Sequence, residues 1–375
     1  MFRGTKVIDA DGHVMEPNDL YDHYLEAKYQ GDLRDLQHEA ASRPIKAFFG
    51  LFHQLNTGRP LGVPNPEKPL LRSGRKPVGE TPDPRGGQDP HVRIKDMDRE
   101  GIDVAVLFAT IVSSFCALKS VEFETAMIRA YHRWLADYCA AYPNRLKGVA
   151  VVPMRAPEIA AAETKRWSKE PWAVGIYLSG HMEDKLLDHP SFHPIWDACQ
   201  AEDLPACFHG GTARPPYGAC TFEMTNNLFL QHSATNPFEC MRALAALIGG
   251  GVPDFYPKLR FAVLEAGAGW LPYWMERLDE HYQLMPEYVP FLKRKPSEVI
   301  RSENFFISCD PDETTLPYVV KTVGVEHILY ASDYPHFDGR FPDTVKLTAD
   351  RPEFSPADHR AILYDNPRRL YPRIV

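Results

Sequence analysis

Ala206-Cys207-Phe208-His209-Gly210-Gly211 is a short apolar run that ends on an imidazole and passes straight into glycines. A run of this kind, without strict alternation, suits a strand buried on both faces of a parallel sheet. The glycines after it let backbone approach closely to whatever the imidazole holds. Seven further runs read as strands: Lys6–Asp11, Asp103–Thr110, Leu146–Pro153, Ala173–Ser179, Arg260–Glu265, Asn304–Ser308 and Ile328–Asp333. Helical spacing fills the intervals over Phe123–Ala141, Pro157–Lys169, His193–Glu202, Pro237–Ile248, Leu271–Leu284 and Pro356–Leu370, with Pro143 and Gly249-Gly250-Gly251 as breaks. Strand alternating with helix predicts an α/β fold with a parallel sheet. An open doubly wound sheet would alternate in the same way, but eight strands favour a closed (β/α)8 TIM barrel. One barrel of about 250 residues plus insertions accounts for a single domain over 1–375.

A long insertion after strand 1, about 20–92, does not belong to a minimal barrel. Its stretch Gly50–Pro90 is rich in Pro, Gly, Lys and Arg. Connections of such length are functional or disordered. This one leaves the C-terminal end of strand 1, where barrel active sites sit. It is read as a lid or substrate-binding element, with a plain surface excursion as the alternative.

The chain carries a net charge of −8, and its Lys and Arg residues are scattered. That gives no basic footprint for nucleic acid. The seven cysteines are widely spaced and form no CxxC pair, so neither a zinc ribbon nor a disulfide framework is expected. No apolar run reaches the roughly 18 residues of a membrane span. A cytoplasmic protein without a membrane or nucleic-acid partner is the expectation.

The chemistry gathers at strand ends. In Asp9-Ala10-Asp11-Gly12-His13, Asp11 and His13 lie two apart on an extended strand and point the same way. His209 ends its strand, Glu265 ends Ala262-Val263-Leu264-Glu265, and Asp333 ends Leu329-Tyr330-Ala331-Ser332-Asp333. Ionisable groups terminating apolar strands are costly unless paired or metal-bound. Four strands doing so at one rim point to a metal centre.

With these residues the sequence resembles the amidohydrolase superfamily, in its amidohydrolase-related branch that includes aminocarboxymuconate-semialdehyde and aromatic-acid decarboxylases. The resemblance covers essentially the whole chain. It implies that Asp11, His13, His209 and Asp333 are ligands. Two departures stand out: Asp11 replaces the first His of the usual pair, and Glu265 stands where relatives often place His or Arg. Strand 4, Ala173-Val174-Gly175-Ile176-Tyr177-Leu178-Ser179, has no Lys to carboxylate, so a carbamate-bridged metal pair is not expected.

The expected cofactor is a divalent ion, Zn, Mn or Fe, with a second ion if Glu265 bridges. The expected reaction is hydrolysis or decarboxylation of a small or medium carboxylated, aromatic or acyl substrate. Asp333 would orient water or pass a proton, and Glu265, with a raised pKa, would act as acid or base. One alternative is a nonheme diiron monooxygenase on the same fold; another is a non-catalytic binding barrel. His181 and His232 are possible extra ligands, or histidines bonded to solvent and backbone. Arg214, His336 and Asp310 are expected to bind substrate. A homodimer is possible.

Overall fold

The computed structural model describes residues 1–41, 83–112, 118, 120–210, 228–336 and 339–374. Eight strands form one parallel sheet in sequence order: β1 (Ile8–His13), β2 (Val104–Phe108), β3 (Leu146–Val151), β4 (Ala173–Leu178), β5 (Ala206–His209), β6 (Phe261–Leu264), β7 (Phe305–Cys309) and β8 (Ile328–Tyr330). All eight are buried along their length except at Lys147, as both-face burial requires. The ring meets itself just past β8. There Asp333 N donates to Asp11 O at 3.0 Å, and His13 N donates to Tyr334 O at 2.7 Å. The seam between first and last strands therefore runs through the residues expected to bind metal.

Helices pack around the ring: α1 (Leu20–Tyr24), α2 (Gln30–Ala41), α3 (Pro90–Glu100), α4 (Val121–Ala140), α5 (Pro157–Trp167), α6 (His193–Ala201), α7 (Leu228–Gly249), α8 (Leu271–Leu284) and α9 (Leu316–Val323). Local chemistry fixes several ends. Pro90 and Pro157 open α3 and α5, where a missing N–H costs nothing. Ser120 caps α4 by accepting from Phe123 N at 3.2 Å. Gly101, at φ +82°, closes α3 in the left-handed conformation that glycine tolerates. Among the described residues no helix is long and apolar enough to cross a membrane.

Three boundaries differ from the sequence reading. β1 runs to His13 rather than Asp11, because its polar end is held inside the barrel mouth instead of leaving as loop. α7 starts at Leu228, not Pro237; the proline sits inside the helix, although proline is preferred in a first turn. The closing segment is helical at Pro356–Arg360 and Asn366–Leu370, joined by a π turn over Ala361–Asp365. Of the insertion, α1 and α2 are described, while residues 42–82 lie outside the described set.

One buried histidine ties the helical layer to the barrel. His132 of α4 is fully buried and accepts from Val151 N of β3 at 3.0 Å. Burial lowers its pKa to about 3, with Arg133 and Arg166 adding to the effect. An unfolded histidine titrates near 6.5, so between pH 6.5 and about 3 the unfolded chain binds the extra proton. Stability is thus complete above pH 6.5 and is lost as pH falls. Between pH 7.5 and 5 this residue alone is expected to remove about 2 kcal/mol. Urea midpoints at both pH values should differ clearly less in His132→Asn than in the parent; equal slopes would refute this assignment.

Candidate metal centre

β1, β5, β6 and β8 each deliver a donor to the C-terminal mouth of the barrel. Asp11 and His13 are almost fully buried, and His209 nearly so. His13 Nε2 lies 3.0 Å from His209 Nε2, and Asp11 Oδ1 is 3.6 Å from both. Glu265 Oε2 is 2.8 Å from His209 Nε2 and 3.3 Å from His13 Nε2, while Asp333 Oδ1 is 3.4 Å from the latter. Five side chains from four strands thus turn lone-pair atoms toward one point. Asp11 Oδ1 and Glu265 Oε2 are buried without a hydrogen-bond partner among the described residues. Uncompensated buried carboxylate oxygens beside two imidazole nitrogens are what a divalent cation satisfies. Asp11, His13 and His209 form one potential metal-binding group; His13, Glu265, Asp333 and His336 form a second that shares His13.

The backbone is bent to make this convergence. Glu265 and Asp333 have φ of +51° and +52°, a left-handed conformation that side chains with a Cβ rarely adopt. β1 shifts register against β2 between Asp9 and Gly12. Gly12 is required there, since a Cβ would lie 2.6 Å from Arg93 Nη2 and 2.8 Å from Asp9 Oδ2.

Electrostatics corrects one expectation. Burial pushes the Glu265 carboxyl up, but the His209 charge and the close approach of the His13 and His209 rings outweigh it and hold it well below the usual range. Glu265 is therefore an ionised ligand candidate and not the raised-pKa acid or base that its apolar strand suggested. Asn236 of α7 donates to its other oxygen at 3.0 Å. Burial lifts Asp11 to about 6, with His209 opposing, and burial drives His13 well below its ordinary value. Burial also works against a charged His209, yet Glu265 and Asp11 raise it well above its ordinary value.

The other expected residues divide. His336 joins the cluster: its Nδ1 is 2.8 Å from Asp333 Oδ1 and its ring lies 4.0 Å from that of His13. Asp310 and His232 line a cavity of about 330 Å³ beside the cluster, together with Asp11, Glu265, Asp333 and Arg340. His232 is not part of the converging donor set. His181, read as either a further ligand or a histidine bonded to solvent and backbone, is not brought into it and takes the second course. It sits on the short hairpin after β4, with Nδ1 3.1 Å from Glu183 O and Nε2 3.9 Å from Glu239. Arg214 lies outside the described residues.

Several supporting groups have no signature in the sequence. Asp9 accepts from Ser332 N at 2.9 Å and Ser332 Oγ at 2.6 Å, fastening β8 to β1. Buried Arg93 donates to His13 O at 2.7 Å and Tyr334 O at 3.4 Å, and packs 4.5 Å over the Tyr334 ring. Buried Glu16 receives backbone N–H groups from the β2 loop. Each acts through backbone atoms distant in sequence, so no local pattern marks it.

A parallel barrel with imidazoles and carboxylates converging at its C-terminal mouth defines a metal-dependent enzyme of TIM-barrel type. The amidohydrolase family profile matches residues 8–373, and the chain belongs to that family. It is 28% identical over 323 residues to gamma-resorcylate decarboxylase of Polaromonas sp., covering 82% of this chain and 92% of that protein. It is 24% identical over 249 residues to 2-amino-3-carboxymuconate-6-semialdehyde decarboxylase of Dictyostelium discoideum, covering 66% and 67%. A crystal structure of 5-carboxyvanillate decarboxylase from Novosphingobium aromaticivorans, complexed with manganese and 4-hydroxy-3-methoxy-5-nitrobenzoic acid, superposes with a TM-score of 0.69 at 22% identity. That likeness covers 99% of this chain and 97% of the other. The diiron monooxygenase alternative finds no support among these relatives.

Proposed function

We propose that the protein decarboxylates a hydroxylated aromatic carboxylate. The observation that carries this reading is Asp333, which lines a cavity of about 330 Å³, of a size for one aromatic ring, and holds His336 Nδ1 at 2.8 Å behind it. The decarboxylase relatives support it. Asp11, His13, His209, Glu265 and Asp333 would hold one divalent ion, with Mn²⁺ favoured over Zn²⁺ or Fe²⁺ by the carboxylate-rich donor set. When bound, the ion supplies Lewis-acid charge for the substrate's carboxylate and phenolate oxygens.

The protein's own residues do the rest. A ring hydroxyl pushes electron density to the carbon that bears the carboxylate. The Asp333–His336 pair delivers a proton to that carbon, forming the C–H bond. The C–C bond to the carboxylate then breaks, its electrons restore the aromatic ring, and carbon dioxide leaves. Glu265, held ionised and fixed by Asn236, would help to hold the ion. Arg340, hydrogen-bonded to Asp312 at 2.9 Å, is a cation at the cavity for a substrate anion, with Asp310 on the same wall to face a hydroxyl.

The chain acts as one domain, and the described far end of the insertion belongs to it. The fastening of that end to the rim supports this, through Met15 N to Gly87 O at 2.8 Å and Tyr138 Oη to Gly86 O at 2.8 Å. It works in the cytoplasm, in keeping with five buried free cysteines among the described residues. It pairs as a homodimer, a reading supported by exposed Tyr288, Phe291 and Phe255 and checked by light scattering.

The test of the reaction uses protein purified without added metal, then reloaded with Mn²⁺. Supplied with a panel of mono- and dihydroxybenzoates, it should release carbon dioxide, with about one ion per chain by elemental analysis. His209→Ala should lose both the ion and turnover. Two irons per chain with oxygen consumption, or hydrolysis without carbon dioxide release, would replace this reading.

A further inference from the structure

We infer that Thr110 is a positioning residue that fixes the tautomers of His13 and His336 together. The inference rests on the metal reading above for His13 and on geometry alone for His336. Thr110 follows β2, and its hydroxyl donates to Val14 O at 2.8 Å. A threonine hydroxyl has one hydrogen and two acceptor positions. With the hydrogen committed to a carbonyl, the oxygen can only accept from its other neighbours. Those neighbours are His336 Nε2 at 3.1 Å and His13 Nδ1 at 3.4 Å.

The consequence for each ring differs. His13 receives a hydrogen on Nδ1, which leaves the Nε2 lone pair facing the other donors 3.0–3.6 Å away. That is the tautomer a ligating histidine needs, and the partner of the far nitrogen normally sets it. His336 receives a hydrogen on Nε2, and the proton that the Asp333–His336 pair carries lies between its Nδ1 and Asp333 Oδ1, 2.8 Å apart. One hydroxyl thereby orients a ligand on β1 and the partner of a ligand on β8.

Thr110 is itself held from below. Glu16 lies three residues beyond His13 on the same loop and is buried. Its carboxyl oxygens accept from Thr110 N at 3.1 Å, from Ile111 N at 3.1 Å and from Val112 N at 3.3 Å. The loop after β1 therefore grips the loop after β2 at the point where the hydroxyl must sit. Thr110 is only partly buried, so apolar packing alone does not explain its placement.

The test compares the metal-loaded parent with Thr110→Val, which removes the hydroxyl at nearly constant shape, and Thr110→Ser, which keeps it. Metal release to excess chelator should be about 10–100-fold faster in Thr110→Val and near the parent rate in Thr110→Ser. Melting temperatures of the metal-free forms should stay close, and kcat should fall more than KM rises. Parent-like metal release from a folded Thr110→Val overturns the inference. Should that variant not fold, nitrogen-15 spectra of the zinc-loaded parent decide. Hydrogens on His13 Nδ1 and His336 Nε2 support the inference; the opposite tautomer at either ring overturns it. Failure to turn over any hydroxybenzoate would remove the proposed reaction but would leave both readouts intact.

Discussion

Asp333→Asn is expected to lower kcat by a factor of about 10²–10⁴, the usual contribution of a positioned proton donor. The amide keeps the shape and an oxygen for the ion, so bound metal and KM should change little. The backbone should also tolerate the exchange. Asp333 sits at φ +52°, and asparagine is among the few residues that visit this conformation readily. What the amide cannot do is pass a proton between His336, 2.8 Å away, and a substrate carbon. Steady-state rates and elemental analysis on the same preparation check this. A variant turning over within tenfold of the parent, with its metal in place, would remove Asp333 from proton delivery.

Arg93→Met should produce the largest loss of stability, about 3–5 kcal/mol, because it strips one member from a buried charged group. Asp9 is buried and its carboxyl is pushed up by that burial, with Ser332 and Arg93 pulling it back. Methionine fills much of the volume but leaves Asp9 without its cation. It also leaves the carbonyl of His13 without the Arg93 donor, and Tyr334 loses the cation over its ring. These groups lie at the seam where β8 closes onto β1, so the loss should include weaker metal retention. Urea unfolding at neutral pH measures the first effect and dialysis against chelator the second. A shift below about 1 kcal/mol would show that the Asp9 carboxylate is compensated elsewhere.

The parallel sheet was legible because its strands are buried on both faces, and its closure into a barrel because there are eight of them. Runs such as Ala206–His209 and Ile328–Asp333 have no other stable place in a globular chain. The same logic singled out the candidate ligands, since an ion-forming group at the end of an apolar strand needs a reason. Errors arose where one side chain has two physical uses. Pro237 read as a helix start and lies within α7. Glu265 read as a carboxyl in an apolar mouth, hence raised. The two imidazoles that reverse its pKa come from residues 252 and 56 positions away. His181 was no such case: between ligand and backbone-bonded histidine it took the second course, with Nδ1 3.1 Å from Glu183 O. Thr110, Glu16, Arg93 and Asn236 were invisible because each works through a partner distant in sequence that only the folded barrel brings near.

Glu265 and Asp333 both hold left-handed backbone angles, at about 1–2 kcal/mol each. Glycine at either position would relax that conformation. Breeding this protein for heat tolerance, with no demand for turnover, should therefore enrich glycine at 265 and 333 early. The most durable descendants of the lineage would be barrels that have forgotten their chemistry, and durability screens need an activity gate at these two codons.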